Sequence, residues 1–252
     1  MGSGNLGCDL VQFSRKRTHA ASYHAHASVQ AIARQWLWCD WPRAARGLVL
    51  DVGSGPVTAP ERFEAGTTAI ALDQSLPMLA RASGYTYRVA ADAAAMPFAT
   101  GSVQYIGSSM AMQWIGVQAL AEWHRLLEPR GRMAMVVPIR GTLARFQGCL
   151  GDAGLVPRTL PMQDERVWIA ALREIGFWVT LVEIRHIQQP YSDRRQLVRA
   201  LTRIGAAGDA EWSSRDVRRA TLAALDRWCA SGTACLEYVL LRVEGQKSCG
   251  IS

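Results

Sequence analysis

The chain has 252 residues, of which 49% are hydrophobic and 19% charged, a composition that excludes a disordered chain and fits a globular protein with a large core. The net charge of +7 comes almost wholly from arginine and favours an acidic partner, whether nucleic acid, an anionic carrier protein or a phosphate-bearing ligand. The longest apolar runs, such as residues 133–138, are far shorter than the roughly 20 residues of a membrane-spanning helix, so we expect a soluble protein without a membrane partner.

The cysteines and histidines do not indicate a metal site. Six cysteines are scattered without a Cys-x-x-Cys pair, and the five histidines do not stand beside them at metal-ligand spacing. His19, His24 and His26 fall on different faces of a predicted helix and lack acidic companions, which favours exposed or capping roles over a base or a metal ligand. Because no secretory signal is evident either, we expect reduced thiols, no metal and a cytoplasmic location.

The first predicted element is a helix over residues 20–38, which ends near Pro42. Its apolar residues recur at helical spacing and comprise Val29, Ile32, Ala33, Trp36 and Leu37. The tryptophans around its end are interpreted as anchors of the core and loops rather than as a stacking platform for nucleic-acid bases; they are Trp36, Trp38 and Trp41.

After this helix, strand-like and helix-like segments alternate, which is typical of a parallel sheet covered on both faces. Five strands are predicted, over residues 48–52, 68–72, 87–91, 103–107 and 133–138. Helical spacing is found between them, over residues 76–82 and 118–127. The fold class predicted is therefore α/β, with a doubly wound, Rossmann-like sheet.

The second half of the chain completes the sheet and carries an insertion. A helix over 163–175 and strands over 178–187 and 236–243 bring the total to seven strands. Two basic helices, over 193–204 and 213–228, separate the last two strands and are too long for a simple hairpin connection. We therefore divide the chain into an N-terminal helical lid segment, a core, an inserted helical lid, and a last strand with a tail; their bounds are 1–43, 44–189, 190–232 and 233–252.

The most informative segment is the glycine-rich turn that follows the first strand. Residues 48–56 read Leu-Val-Leu-Asp-Val-Gly-Ser-Gly-Pro, and glycine there permits a tight turn and a close approach of ligand. A dinucleotide-binding turn would carry a third glycine where Thr58 stands, and Asp51 precedes the turn. An acidic residue at this point favours a cationic ligand over a pyrophosphate.

Two further carboxylates follow the next two strands. Asp73 lies 22 residues after Asp51, where a carboxylate can bind both hydroxyls of a ribose, and Asp92 is placed to meet an adenine amino group. An aspartate after a strand is most often a turn or cap residue. Because the carboxyl ends of parallel strands share one edge, the three acids together predict a ligand crevice at that edge.

Several segments resemble the successive motifs of class I S-adenosylmethionine-dependent methyltransferases. They cover residues 49–55, 71–79, 91–98 and 126–131. Within that class the chain is most similar to the malonyl-acyl-carrier-protein O-methyltransferases of biotin synthesis, through residues 13–15, 20–23, 109–114 and 201–206. The resemblance spans about residues 13–243.

The resemblance implies S-adenosylmethionine (SAM) as the cofactor and assigns a role to individual residues. Asp51, Gly53 and Gly55 would hold the methionine portion, and Asp73 the ribose. The other cofactor contacts that it implies are Gln74, Met78, Asp92, Ala93 and Ser109. Tyr23 is similar to the family tyrosine that closes over the methyl group, and it is the candidate catalytic residue.

The resemblance further implies that the acceptor is the free carboxylate of a malonyl thioester on an acidic acyl-carrier protein. Arg140 and Arg203 are the candidates to orient that carboxylate. The arginines of the inserted helices are either a solvated face or a docking surface for the carrier; they are Arg194, Arg195, Arg199, Arg203, Arg215, Arg218 and Arg219. We expect a monomer that binds no nucleic acid, since no nucleic-acid-binding module is found.

Two alternatives remain at this stage. The first is a methyltransferase that acts on another small molecule or on RNA, for which the positive charge would serve equally well. The second is a cofactor-binding relative without catalysis, because Val57 replaces a small residue or glycine often found in the turn of this family. Binding of SAM and transfer of its methyl group are the two measurements that separate them.

Overall fold

The computed structural model describes residues 29–39, 47–60, 66–156, 159–203 and 215–248. Their strands are β1 (Leu48–Val52), β2 (Thr68–Asp73), β3 (Tyr87–Ala90), β4 (Val103–Ser109), β5 (Leu127–Pro138), β6 (Phe177–Pro190) and β7 (Cys235–Lys247). Their helices are α1 (Val29–Trp38), α2 (Leu76–Leu79), α3 (Met112–Ile115), α4 (Ala119–Leu126), α5 (Ala144–Asp152), α6 (Glu165–Ile175), α7 (Arg194–Arg203) and α8 (Arg215–Ala230). No helix in these ranges combines the length and the apolar character that crossing a membrane would require.

The seven strands form one sheet in the order β3-β2-β1-β4-β5-β7-β6. Strands β1 to β5 are mutually parallel, whereas β7 runs antiparallel to both β5 and β6. The chain moves outward from β1 to β3 and then crosses back to place β4 on the other side of β1. This reversal is the topological switch point at which doubly wound sheets bind ligands. The predicted α/β fold with seven strands is confirmed.

Helices cover both faces of the sheet, and each face has its own core. On one face α4 and α6 bury Trp123 and Trp168 against the strands. On the other face α1, α5, α7 and α8 pack together, with Trp36, Phe146 and Leu225 almost fully buried. Burial of one such large apolar side chain contributes about 1.5–3 kcal/mol relative to exposure.

Trp36 and Trp38 are 1% and 4% exposed, in agreement with their interpretation as core anchors, while Trp41 lies outside the described residues. The same holds for residues 20–28 of the predicted N-terminal helix and for His19, His24 and His26. The cysteines that the structure does describe form no disulfide with one another: Cys39, Cys149, Cys229 and Cys235.

Element boundaries differ from the prediction where two elements adjoin. Leu127, predicted as the last helical residue, is the first residue of β5, and the predicted helix over 76–82 ends at Leu79. Helix α5 was not predicted at all, because Gly148 and Gly151 weaken its helical signal. Phe146 and Leu150 nevertheless lie four residues apart on its buried face, and tertiary packing therefore stabilises it.

The two basic helices between β6 and β7 are confirmed, and the strands that lead to them are longer than predicted. Pro138, the last residue of β5, pairs with Leu240, whereas the β6/β7 hairpin continues to the pair Pro190 and Cys235. This extension of five residue pairs is about 17 Å long at 3.4 Å per residue. It rises from the edge at which β1, β2 and β4 end, so α7 starts and α8 ends beyond that edge.

Candidate functional site

The turn after β1 is held by the neighbouring strand. Gly53 N and Ser54 N both donate to Leu72 O, at 2.7 and 3.1 Å. Gly53 has φ +65°, and a Cβ at this position would lie 2.2 Å from the Cβ of Ala111. Glycine is required here by both the left-handed backbone and the close approach of the segment after β4.

Asp51 lies at the end of β1, directly before this turn, and is 1% exposed. Its Oδ2 is 2.8 Å from Nη1 of Arg34, which is on α1, and it accepts a hydrogen bond from the hydroxyl of Tyr85. Its Oδ1 is buried and has no hydrogen-bond partner among the described residues. A buried carboxylate oxygen without a donor is costly, and it therefore marks a position where a ligand can bind.

Arg34 and Tyr85 also bind each other, so that three elements meet at Asp51. Arg34 Nη2 donates to the Tyr85 hydroxyl and to Thr58 O at 3.1 Å. Burial and the adjacent Asp51 carboxylate raise the pKa of Tyr85 well above its ordinary value, which keeps its hydroxyl a neutral donor. Burial acts to lower the pKa of Arg34, but Asp51 and Tyr85 outweigh it, and the pKa is raised.

Arg34 and Tyr85 were not identified from the sequence. Neither belongs to a motif: Arg34 lies between Ala33 and Gln35 in α1, and Tyr85 stands in the connection between α2 and β3. The only signal in the sequence was the presence of an arginine one residue after the buried Ala33 of that helix. Which carboxylate it meets is decided by the packing of α1 on the sheet.

Asp73 ends β2 and stabilises the same turn. Its Oδ2 accepts from Gly55 N and its Oδ1 from Ser75 N, both at 2.9 Å. The turn role of this aspartate is therefore present, and each carboxylate oxygen keeps a second lone pair with which it can accept from a ribose hydroxyl. Gly55 has φ +62°, and no atom lies within 4 Å of the position that its Cβ would take.

The residues predicted to contact the adenine lie beside Asp73 at the same edge. Gln74 and Met78 are exposed, and Met78 is in the short helix α2. Asp92 is exposed and accepts from Ala94 N at 2.9 Å. Ala93 is 4% exposed and packs in the core, so its side chain is turned inward and only its backbone could contact a ligand.

The end of β4 forms the other side of the switch point. Asp51 pairs with Gly107 of this strand, and Ser109 follows two residues later. Ser109 Oγ and Gln113 Oε1 are buried without a hydrogen-bond partner in the described part of the chain. Met110, between them, has φ +58°, a left-handed conformation that is uncommon for a residue other than glycine and that often marks functional sites.

The segment after the glycine-rich turn departs from the Rossmann pattern. Residues 57–59 run parallel to the connection before β3, with Ser83 N donating to Val57 O at 3.1 Å and Ala59 N to Ser83 O at 2.8 Å. No helix forms among residues 53–60. A helix N-terminus therefore does not contribute to the turn in this part of the chain.

The candidate acceptor residues are only partly described. Arg140 lies two residues after β5, is 76% exposed, and has its Nε 3.8 Å from Asp164 Oδ2. Arg203 is the last residue of α7, but its side chain is outside the described part, and Tyr23 is outside it altogether. The structure thus brings Asp51, Asp73 and Ser109 to one edge of the sheet. It does not test where the side chains of Tyr23 and Arg203 lie.

Comparison with known proteins supports the resemblance to methyltransferases independently of the geometry of the site. Residues 50–135 match the family described as a methyltransferase domain. The chain is 35% identical to a malonyl-[acyl-carrier protein] O-methyltransferase from Pseudescherichia vulneris, over 49% of this chain and 52% of that protein. It therefore spans about half the length of that relative. A protein of the same name from Herminiimonas arsenicoxydans is 27% identical over 94% of this chain and 95% of its own length.

Among solved structures, the YcgJ protein of Bacillus subtilis superposes with a TM-score of 0.55 at 16% identity, over 82% of this chain and 94% of the other. That likeness supports the fold. The strand order, the domain match and the named relatives agree with one another, and together they support a class I SAM-dependent methyltransferase.

Proposed function

We propose that the chain binds SAM in the crevice at the β1–β4 switch point and methylates the free carboxylate of a malonyl thioester carried by an acyl-carrier protein. This reaction is an early step of biotin synthesis. The observation on which the cofactor site depends is the buried Asp51, whose Oδ1 has no described partner beside the glycine-rich turn. The names of the relatives support the choice of acceptor.

In this proposal each strand end supplies one part of the cofactor site. Asp51, Gly53 and Gly55 hold the methionine portion, Asp73 the ribose, and Asp92 the adenine amino group. Ser109 and the neighbouring Gln113 have side-chain oxygens without a partner among the described residues on the β4 side, where a bound ligand can supply the missing hydrogen bonds. Met78 and Gln74 are exposed beside Asp73, where they can cover the base.

The proposed reaction requires no proton transfer by a side chain of the protein. The bound cofactor supplies an electrophilic methyl group on a sulfonium sulfur. The malonyl carboxylate is already ionised near neutral pH, so no general base is needed. The residues of the site must align oxygen, methyl carbon and sulfur and exclude water from the reacting charges. Tyr23 and the inserted helices are proposed to provide that enclosure.

Arg140 is proposed to orient the malonyl carboxylate. It follows β5, the strand next to β4, and so lies at the edge where the cofactor is proposed to bind. Its guanidinium is mostly exposed and its contact with Asp164 is loose at 3.8 Å, which leaves donors for a carboxylate ligand. Arg203 stays a second candidate from the sequence.

The inserted helices are proposed to dock the acidic carrier. A groove of about 410 Å³ between the start of α7 and α8 is lined by Arg194, Arg215, Arg218 and Arg219. Arg215 and Arg219 are exposed and lie four residues apart on one face of the helix. We call these four arginines the basic lid surface. Such a surface raises the association rate with an acidic partner and makes it dependent on salt.

The central experiment is a methyl-transfer assay with malonyl-acyl-carrier protein, combined with calorimetry for cofactor binding. The proposal predicts a carrier-bound methyl ester and one molecule of S-adenosylhomocysteine for each turnover. Cofactor binding without transfer to this substrate would leave another acceptor or a non-catalytic relative. A chain that binds no SAM would contradict the cofactor site itself.

The docking surface is tested by reversing its charge. We expect the double variant Arg215→Glu and Arg219→Glu to raise KM for malonyl-acyl-carrier protein at least tenfold, while SAM affinity changes less than twofold. Malonyl-pantetheine, which carries the same acceptor without the protein, should be used equally well by both forms. Steady-state kinetics at two salt concentrations measure the effect, because added salt should narrow the difference.

A matched control is the double variant Arg166→Glu and Arg173→Glu on α6. These arginines are also exposed, and they lie on the opposite face of the sheet. Both double variants replace two arginines by two glutamates, so the change in net charge is the same. An equal rise in KM in both double variants would show a general charge effect and contradict docking on the basic lid surface.

A further inference from the structure

A groove of about 470 Å³ separates α5 from α8, and none of the described residues assigned to the cofactor, the acceptor or the carrier lines it. Its volume is within the range of small-molecule sites. At one end Arg145 Nη2 donates to Thr233 O at 2.9 Å. Further along, Cys149 Sγ lies 3.9 Å from Ala224 O. The two helices are therefore antiparallel, and the groove runs along both of them.

The groove is open because α5 carries a glycine in its middle. Gly148 lines the groove, and no atom lies within 4 Å of the position that its Cβ would take. Its backbone is helical, and glycine is the least favourable residue other than proline in the interior of a helix. Neither the backbone conformation nor close packing therefore requires glycine at this position. Its effect is to leave space between the two helices.

The charged side chains of the groove are separated along its length. Arg227 follows Ala224 along α8, toward the end at which Arg145 is bound. The guanidinium of Arg227 is exposed and makes no hydrogen bond or ion pair within the part of the chain that the structure describes. Arg145 Nη1 is 3.8 Å from Glu237 Oε1, which neutralises it in part. Asp152 lies seven residues after Arg145, about 10 Å away at 1.5 Å per residue, so one end is cationic and the other anionic.

The middle of the groove combines an aromatic wall with small, uncharged side chains. Trp228 is half-buried and lines the groove from α8. Burial, and to a smaller extent Asp152, raise the pKa of the Cys149 thiol, so this side chain is neutral near pH 7 and adds no negative charge. A planar ring can therefore contact the indole without losing a charged group's hydration on either side.

We infer that this groove is a second ligand site, which binds a small aromatic monocarboxylate. The guanidinium of Arg227 binds the carboxylate, with Arg145 beside it, and the ring lies against Trp228 in the space that Gly148 leaves. Hydrogen bonds between guanidinium and carboxylate are charge-assisted, and aromatic rings attract each other in offset or edge contacts. Asp152 disfavours a ligand with a second negative group at the far end, because like charges repel. The inference goes beyond the proposed methyl transfer and does not depend on it.

The test uses 3-phenylpropanoate and 3-phenylpropylamine, which share a phenyl ring and a three-carbon chain but carry opposite charges. Calorimetry on the full chain should show that the wild type binds the carboxylate at least tenfold more tightly than the amine. Arg227→Gln should weaken binding of the carboxylate at least tenfold. Arg173→Gln, which removes an exposed arginine from α6, is the control and should bind like the wild type. Equal affinity for the two probes, or no binding of the carboxylate, overturns the inference.

Filling the groove tests the position of the site. Gly148→Leu places a side chain in open space, so it should weaken binding of 3-phenylpropanoate at least tenfold without lowering the temperature of unfolding. Gly151→Leu is the matched control: Gly151 is in the same helix, also has no atom within 4 Å of its Cβ position, and does not line the groove. It should bind like the wild type. A folded Gly148→Leu variant with unchanged affinity contradicts the site.

Cys149 reports occupancy in the wild type and decides the question if Gly148→Leu does not fold. Bound 3-phenylpropanoate should slow the alkylation of Cys149 by iodoacetamide several-fold, because the thiol lines the same groove. Cys39, which is also half-buried but follows α1, is the internal reference and should react at an unchanged rate. Mass spectrometry of the digested chain measures both rates. If saturating 3-phenylpropanoate does not protect Cys149, the probe binds elsewhere and the inference is wrong.

Discussion

Replacing Gly53 by alanine is expected to lower the free energy of unfolding by about 2–5 kcal/mol, the larger of two effects in a matched pair of glycine variants. The left-handed backbone at φ +65° costs an alanine about 1–2 kcal/mol. The new Cβ would also lie 2.2 Å from the Cβ of Ala111, and relief of such overpacking typically costs about 1–3 kcal/mol more. The turn after β1 and the segment after β4 would have to move apart.

Gly55→Ala is the comparison, because it has nearly the same φ but no atom within 4 Å of the new Cβ. We expect it to lose only about 1–2 kcal/mol, from the backbone term alone. Urea unfolding followed by circular dichroism measures both variants. If the two unfold at the same urea concentration, the close approach of Ala111 to the turn does not contribute to stability.

Replacing Asp73 by alanine is expected to weaken SAM binding by about 2 kcal/mol or more, which is roughly 30-fold or greater. The proposed ribose contact has two hydrogen bonds to a charged group, each worth on the order of 1–3 kcal/mol. The carboxylate also accepts from Gly55 N and Ser75 N, so its removal loosens the turn that is proposed to hold the methionine portion. Both effects act in the same direction on affinity.

Asp92→Ala provides the control for a carboxylate at the same edge. Asp92 is exposed and has one described backbone donor, Ala94 N, so we expect a smaller loss of affinity and little change in stability. Calorimetry with SAM and thermal unfolding should be run on both variants. An unchanged dissociation constant in Asp73→Ala would count against the ribose role of this residue.

Much of the fold could be predicted from the sequence, because apolar runs and turn residues report directly on strands. β1 was predicted at its observed bounds, and the position of the glycine-rich turn follows from Gly53 and Gly55. The boundary at Leu127 was not predictable from periodicity, since a buried leucine fits the end of a helix and the start of a strand equally well. Local sequence patterns do not show whether Leu127 continues the helix or begins the strand.

The positions of the two carboxylates at the candidate site were predicted from the sequence, whereas the groups that neutralise Asp51 were not. The spacing of Asp51 and Asp73 indicated carboxylates at one edge, and the structure places them there. The partners of Asp51 come from α1 and from the connection before β3, which are distant in sequence, so no local signal could reveal that Arg34 neutralises it. The same limit applies to Gly53, whose need for glycine arises from the remote Ala111.

The extended β6/β7 pair sets how far beyond the edge proposed to bind the cofactor α7 starts and α8 ends. Because side chains alternate faces along a strand, one residue removed from each strand would invert the packing of everything beyond it. Only the removal or addition of two residues in each strand keeps every side chain on its own face of the sheet. Each such change moves the inserted helices by about 7 Å. The reach available to an acceptor can therefore be adjusted in discrete steps, without altering any residue that is proposed to contact the nucleoside.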